Sequence, residues 1–295
     1  MPDKPFKTID EQLEILRARG LAIPDESEAR AYLLSYNYYR VVNGYKDMLL
    51  DFDKTSPGHE VYLEGASFTD LMKLHAFDCE LRALVILSLL SVEVRIKTAV
   101  VYAFCERNQG TEDYLVSSKY CSESEYHYAS GYGKNLEKLL STLCAIRDGR
   151  PERPYTDHYR KHHEGVPLWV ACNSMTFGCL SAFFDLQRRG VQNSACKYLC
   201  ETSGKSRIKV EQLRQAISVL SSFRNVCAHG ERLFCARAGR RNDRDFASMM
   251  SALALVQQAD EQAGLENKVT ELLSSFDYNP NLKKRVIKSM GLAST

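Results

Sequence analysis

Residues 213–234, LRQAISVLSSFRNVCAHGERLF, place an arginine and a histidine five positions apart, Arg224 and His229, with Asn225 beside the arginine. A histidine transfers protons near neutral pH. A guanidinium grips a phosphate through two parallel hydrogen bonds and stabilises the charge that builds on it in a transition state. Together they suit metal-free cleavage of RNA. His229 would move the proton of a 2′-hydroxyl or of the leaving 5′-oxygen, Arg224 would hold the phosphate, and Asn225 would orient either one. From the spacing alone, a structural arginine ion pair next to an ordinary helix-end histidine is the favoured reading.

The element carrying these residues follows from periodicity. Leu213, Ile217 and Leu220 form one helical stripe, with Ala216 and Phe223 beside it. Arg224 falls within roughly 20° of Ile217 and Leu213 on a helical wheel. On that face it needs a partner, because an unpaired buried guanidinium costs several kcal/mol. Gly230 is a natural terminator. Positions i and i+5 of a regular helix lie roughly 140° apart, so Arg224 and His229 meet only through helix distortion near Gly230, through arginine reach, or across a subunit interface. Glu93 is buried by pattern, between Ile86, Leu89 and Leu90 before it and Ile96 and Val100 after it. A carboxylate there needs a cation: either it orients Arg224, or it pairs with Lys97 one turn on.

The rest of the chain reads as helix after helix, an all-α fold. Thr8-x-x-Glu11 is a capping box opening a helix to about Arg19, and Pro24 starts another that ends near Gly44. Ser67-x-x-Asp70 opens a long helix to about Arg107, with Phe68, Leu71, Leu74, Phe77 and Leu81 at helical intervals. Residues 109–133 form a polar, Ser/Tyr-rich excursion. Further helices are predicted over 134–147, 167–188, 193–201, 209–227, 243–262, 265–276 and 281–290. No Walker loop, dinucleotide fingerprint or Ser/His/Asp arrangement appears.

With 295 residues, 44% hydrophobic and 26% charged, the chain is globular rather than disordered. Its net charge is only +2, but residues 205–244 hold ten Lys/Arg against three acids, a local +7. That concentrates basic charge around the arginine–histidine segment and suggests RNA. Arg232, Arg237, Arg240, Arg241 and Arg244 are the candidate phosphate contacts, a solvated basic loop being the plain alternative. His158 and His162 have metal-compatible spacing, yet no cysteine or carboxylate pattern completes a site, so no metal or cofactor is expected. Tyr36, Tyr38, Tyr39 and Tyr45 could stack on bases but are favoured as core. Cysteines such as Cys79, Cys196 and Cys227 lie in apolar helical stretches and read as reduced thiols. The longest apolar stretch, ten residues from Ala83 to Val92, falls short of the ~18–20 a bilayer requires. No secretory signal is visible, and a cytoplasmic location with no membrane contact is expected.

Several motifs in order resemble the Abi-like (AbiD/AbiF) abortive-infection proteins of the HEPN superfamily. Asn37-Tyr38-Tyr39-Arg40-x3-Gly44-Tyr45 resembles the family's NYYR…GY. Phe68-x2-Leu71-x5-Phe77-Asp78-x2-Leu81-Arg82 resembles its FDxxLR helix, with Glu93 in the place of the acidic residue that follows. Pro167-x-Trp169 and Thr176-Phe177-Gly178-x-Leu180-Ser181 resemble its P-x-W and FGxLS pair. Arg224-Asn225-x2-Ala228-His229 with Arg232-Leu233 resembles the RNxxAH…RL signature, and Met290-Gly291 its closing MG. Residues 112–133 match least, and His75 replaces an expected aromatic. The resemblance implies a HEPN-type helical bundle with extra N-terminal and C-terminal helices: an N-terminal segment over 1–66, a core over 67–263 and C-terminal helices over 264–295. It also implies a metal-independent endoribonuclease used in bacterial antiphage defence as a toxin, leaving 2′,3′-cyclic phosphate ends. Since such nucleases build one site from two R-x4–6-H motifs and this chain has one, it implies a homodimer, and a cognate non-coding RNA as a further partner. The rival is a non-catalytic RNA-binding module whose motif is a structural dimer seam.

Overall fold

The computed structural model describes residues 5–128, 130–239 and 242–292. Among them the architecture is all-α, with isolated bridges but no strand. By internal contacts the chain divides into two compact units, one of residues 1–84, 230–236 and 267–295, the other of 85–229 and 237–266. No helix is long and apolar enough to cross a membrane among the described residues.

In the first unit α1 (Ile9–Ala18) opens with the predicted capping box, Thr8 and Glu11 each bonding the other's backbone amide. Helix α2 (Glu26–Tyr36) starts on the Asp25 side chain and stops at Asn37, whose φ of 54° ends it. The helix predicted to run on to Gly44 is therefore broken, and residues 39–43 form a separate π-turn. Of the four tyrosines favoured as core only Tyr45 is buried, and Tyr39 is 77% exposed. Helix α3 (Phe68–Arg107) begins where the Ser67/Asp70 box predicts, and the unit boundary falls within it. His75, in the place of an aromatic, is packed as one. It is ringed by Tyr32, Tyr36 and Tyr45, and its Nδ1 lies 2.7 Å from the Tyr32 hydroxyl. Burial holds its pKa below the ordinary imidazole value.

The second unit holds the rest of α3 and α4 (Tyr132–Arg147), α5 (Pro154–His162), α6 (Leu168–Ala171), α7 (Phe177–Asp185), α8 (Arg189–Ser203), α9 (Val210–Ala228) and α10 (Phe246–Ala254). Helix α9 is central, packing on α7, α8 and α10 through Leu213, Ile217, Leu220 and Phe223, all fully buried. Two predicted helices are interrupted. Residues 167–188 split because a 3-10 turn at 172–174 precedes Thr176, whose side chain caps α7 afresh. Residues 243–262 split after α10, and the next helix, α11 (Ala259–Ser274), begins at 259 rather than 265. The last helix, α12 (Pro280–Met290), lies in the first unit and matches its prediction within a residue. Residues 109–128 form three 3-10 turns pinned by tyrosines, the Tyr114 hydroxyl donating to the Val166 carbonyl at 2.8 Å.

Arg95 on α3 meets Glu261 on α11 with two parallel hydrogen bonds, 2.8 and 2.9 Å, and donates to the Val256 carbonyl at 3.0 Å. Those bonds, with the Gln258 amide, hold the Glu261 carboxyl down to about 2. A depressed carboxyl stabilises the fold above its unfolded value of ~4.3 and loses that contribution as pH falls toward 2. Arg95→Met should lower stability at pH 7 by about 1 kcal/mol, after allowing for solvent screening of a half-open pair. It should also flatten the acid limb of the stability–pH curve between about pH 4.5 and 2. Urea unfolding across that range reads both effects. An unchanged acid limb would mean the pair contributes nothing.

Candidate active site

Helix α9 carries Arg224 in its last turns, on the buried stripe the sequence assigns it. Its partner is Glu93 of α3, with Arg224 Nε 3.6 Å from Glu93 Oε2. The other carboxylate oxygen, Oε1, lies 3.5 Å from Lys97 Nζ, and that ammonium also donates to the Met175 carbonyl at 2.9 Å. The two readings of Glu93 are therefore both realised: one carboxylate sits between Lys97 and Arg224. Only 8% of the Glu93 side chain is exposed, against 31% of Arg224. Glu93 Oε2 and Arg224 Nε are both closed to solvent and make no hydrogen bond. The pair is thus held by charge at a distance slightly beyond hydrogen bonding. The carboxylate comes nearest the guanidinium at Nε, and Nη1 and Nη2 have no hydrogen-bond partner among the described residues.

His229 closes α9 as its C-cap, with φ −88° and ψ 0°, and its amide donates to the Asn225 carbonyl at 2.9 Å. The helix stays regular through Ala228, and the left-handed turn waits until Gly230, at φ 67°. Distortion therefore does not swing His229 onto the Arg224 face. Both His229 and Asn225 are exposed, so the imidazole is open to solvent.

The other candidates are distributed differently. Arg232 Nη1 bonds both carboxylate oxygens of Asp47, at 3.0 and 3.1 Å, and so is engaged within the first unit. Arg244 lies 3.7 Å from Asp243, and Arg237 is also engaged. Arg240 and Arg241 lie outside the described residues. His158, His162, His163 and Tyr159 meet in tilted and edge-on ring contacts, and no group of metal-ligating side chains forms among the described residues.

Sequence reasoning missed a clamp in the first unit. Asp78, completely buried, accepts from the amides of Leu233 and Phe234 at 2.9 and 3.0 Å and from the Tyr45 hydroxyl at 2.9 Å, and pairs with Arg82. Arg82 also donates to the Glu231 carbonyl at 3.1 Å, and Arg40 donates to that of Gly230 at 3.3 Å. Residues of the NYYR and FDxxLR motifs thus grip Gly230, Glu231, Leu233 and Phe234, just after His229 in sequence. The available signal was the presence of those motifs in one chain with RNxxAH…RL, since nothing local to Asp78 points 155 residues ahead.

The sequence model described as Abi-like protein matches residues 31–235, more than half of the chain. The chain belongs to the Abi-like protein family. Neither a curated protein nor a solved structure matches it. The span shared with the Abi-like family contains Glu93, Lys97, Arg224, Asn225 and His229 together with the Asp78 clamp, and it ends before Arg237, Arg240, Arg241 and Arg244. The arginine–histidine pair and its supports lie inside the matched span, whereas four of the five basic candidates lie past it.

Proposed function

We propose that this Abi-like protein is a metal-independent endoribonuclease of HEPN type, of the AbiD/AbiF kind, that acts as a homodimer in abortive-infection defence. One observation carries the reading. On a single regular helix, Arg224 is anchored by a buried carboxylate with its outer nitrogens free for a phosphate, while His229 stands exposed five residues on. One helix cannot bring the two to one phosphorus, and a two-fold related copy can. Helix α3 adds support, because it exposes Leu87, Leu90 and Val94 on the helix that carries Glu93, and their exposures of 69, 43 and 62% leave an apolar face for a second copy.

In the cleavage step one His229 imidazole takes the proton of the 2′-hydroxyl, whose oxygen then attacks the adjacent phosphorus. Arg224 stabilises the extra negative charge on the phosphoryl oxygens. The P–O5′ bond breaks, and the imidazolium so formed passes the proton on to the leaving oxygen, so that one arginine and one histidine serve each phosphate. The products are a 2′,3′-cyclic phosphate and a 5′-hydroxyl. A cognate non-coding RNA that restrains or guides the protein is part of the same proposal.

The second reading, a non-catalytic RNA-binding module, draws on the Glu93–Arg224 pair, which also suits a purely structural arginine. Incubating purified protein with total RNA in EDTA separates the two. Fragments ending in 2′,3′-cyclic phosphate support the nuclease. Salt-sensitive RNA binding without any cleavage, after bound RNA has been stripped, would leave the binding module.

A further inference from the structure

In the second unit a cleft of about 560 Å³ opens between α4 and α7, walled on its third side by Tyr126 and Tyr128 of the irregular excursion. Its volume lies in the range of small-ligand sites. The space is left by small residues on α7, namely Gly178, Ser181 and Ala182, two of them from the FGxLS motif that the nuclease chemistry does not use. Packing does not demand the glycine. Gly178 has no left-handed φ, and a Cβ there would meet nothing closer than 3.9 Å.

The polar groups around the cleft are of three kinds. Tyr126 offers a flat aromatic surface held in place, its ring set edge-to-face with Tyr128 at 5.4 Å and with Tyr132 at 5.6 Å, its hydroxyl accepting from Asn135 at 2.9 Å. Asp185, only 9% exposed, lines the wall. Its Oδ1 takes the Arg214 Nε–H at 2.9 Å and its Oδ2 the Tyr128 hydroxyl at 3.2 Å, so each oxygen keeps a further lone pair for a donor. Lys138 is exposed at the cleft and forms no ion pair among the described residues. An aromatic platform, a buried hydrogen-bond acceptor and an unpaired cation match, in turn, a nucleobase, its exocyclic amino group and its phosphate.

We propose that this cleft binds a single nucleotide whose base carries an amino group, with the base against Tyr126 and Asp185 and the phosphate at Lys138. Adenine, cytosine and guanine offer Asp185 a donor. The one edge donor of uracil, N3–H, is flanked by two carbonyl oxygens that repel the carboxylate, and uracil is disfavoured. The nucleotide is either free or part of an RNA chain. The second case rests on the nuclease reading and makes the cleft a base-selecting subsite. It has a structural link to the reacting pair, since Lys97 bonds the carbonyl of Met175, next to the cleft residue Thr176, while pairing with Glu93.

The test is calorimetric titration of the full-length protein with AMP, CMP, GMP and UMP, with a 2′-O-methylated hexa-adenylate as an uncleavable competitor. Binding is expected for the first three, and about tenfold weaker for UMP. Tyr126→Ala removes the platform and Ser181→Phe fills the cleft, and each should weaken binding about tenfold or more, with helicity checked by circular dichroism. Competition by the methylated RNA identifies a nucleotide of an RNA chain, and absence of competition identifies a free nucleotide. Either result supports the cleft. No binding of any probe, or binding that both variants leave intact, overturns the proposal. Because no step requires cleavage, its failure and that of the nuclease reading are read separately.

Discussion

Mixing Arg224→Ala protein with His229→Ala protein should restore about a quarter of wild-type RNA cleavage, although each variant alone is expected to be about 10²–10⁴-fold slower. The first figure follows from two-fold symmetry. Random subunit exchange makes about half the dimers mixed, and each mixed dimer rebuilds one of its two sites. The premise is geometric. Helix α9 is regular through Ala228, so Arg224 and His229 of one chain point to different faces. Arg224 is further tied toward α3 by Glu93. On the proposed two-fold arrangement, a phosphate gripped by one chain's Arg224 would be served by the other chain's His229, which is the combination the mixed dimer supplies. The experiment needs exchange, so the two variants are co-expressed with different tags and the whole dimer population is assayed, while the isolated mixed species should recover about half. Dimer mass and helicity must match wild type for each variant. Recovery in the mixed dimer supports a site shared between chains. Loss in both variants with no recovery would mean that arginine and histidine work within one chain, and cleavage surviving both would remove them from the chemistry.

Much of this arrangement was legible in the sequence because it is encoded locally. Ser67-x-x-Asp70 is a self-contained hydrogen-bonding unit, and α3 starts at Phe68 as it dictates. The stripe of Leu213, Ile217 and Leu220 fixes which side of α9 is buried, and a charged residue on that side requires a partner. What the stripe does not carry is which partner. Glu93 had two cations within reach by pattern, and folding used both, placing them 3.5 and 3.6 Å from opposite oxygens. The interruptions were less readable. Asn37 ends α2 by taking a left-handed φ that asparagine tolerates, but nothing in its neighbours demands the break. Residues 172–176 are apolar or neutral enough to read as continuous helix, and the break comes from Thr176 capping a new one. The exposed Tyr39 misled because aromatic clusters at helical spacing usually face a core. Here the backbone turns through a π-turn, and Tyr45 alone goes inside.

Asp78→Ala should be the most destabilising single substitution among these, by about 3–5 kcal/mol. Its carboxylate is fully buried and receives four donors: the Leu233 and Phe234 amides, the Tyr45 hydroxyl and the Arg82 guanidinium. Removing it leaves two amides and a hydroxyl without acceptors in a site that water does not reach, and orphaned buried groups of this kind cost ~1–3 kcal/mol each. The sum overshoots, since neighbouring losses do not add. Arg82 retains the Glu231 carbonyl at 3.1 Å and Cys79 Sγ at 2.9 Å, which softens the loss of its counter-charge. Asp78→Asn separates the contributions. Its carbonyl oxygen keeps an acceptor for the two amides, while its NH₂ faces donors, so it should fall between wild type and the alanine variant. Urea unfolding gives the ranking, and hydrogen exchange at Leu233 and Phe234 localises it. Both amides should lose protection in the alanine variant and keep most of it in the asparagine variant. If the alanine variant stays within 1 kcal/mol of wild type, the four donors have other acceptors and Asp78 is not what holds residues 230–234. If asparagine proves as damaging as alanine, the Arg82 charge rather than the two amides dominates, and the segment is held by an ion pair instead of by backbone recognition.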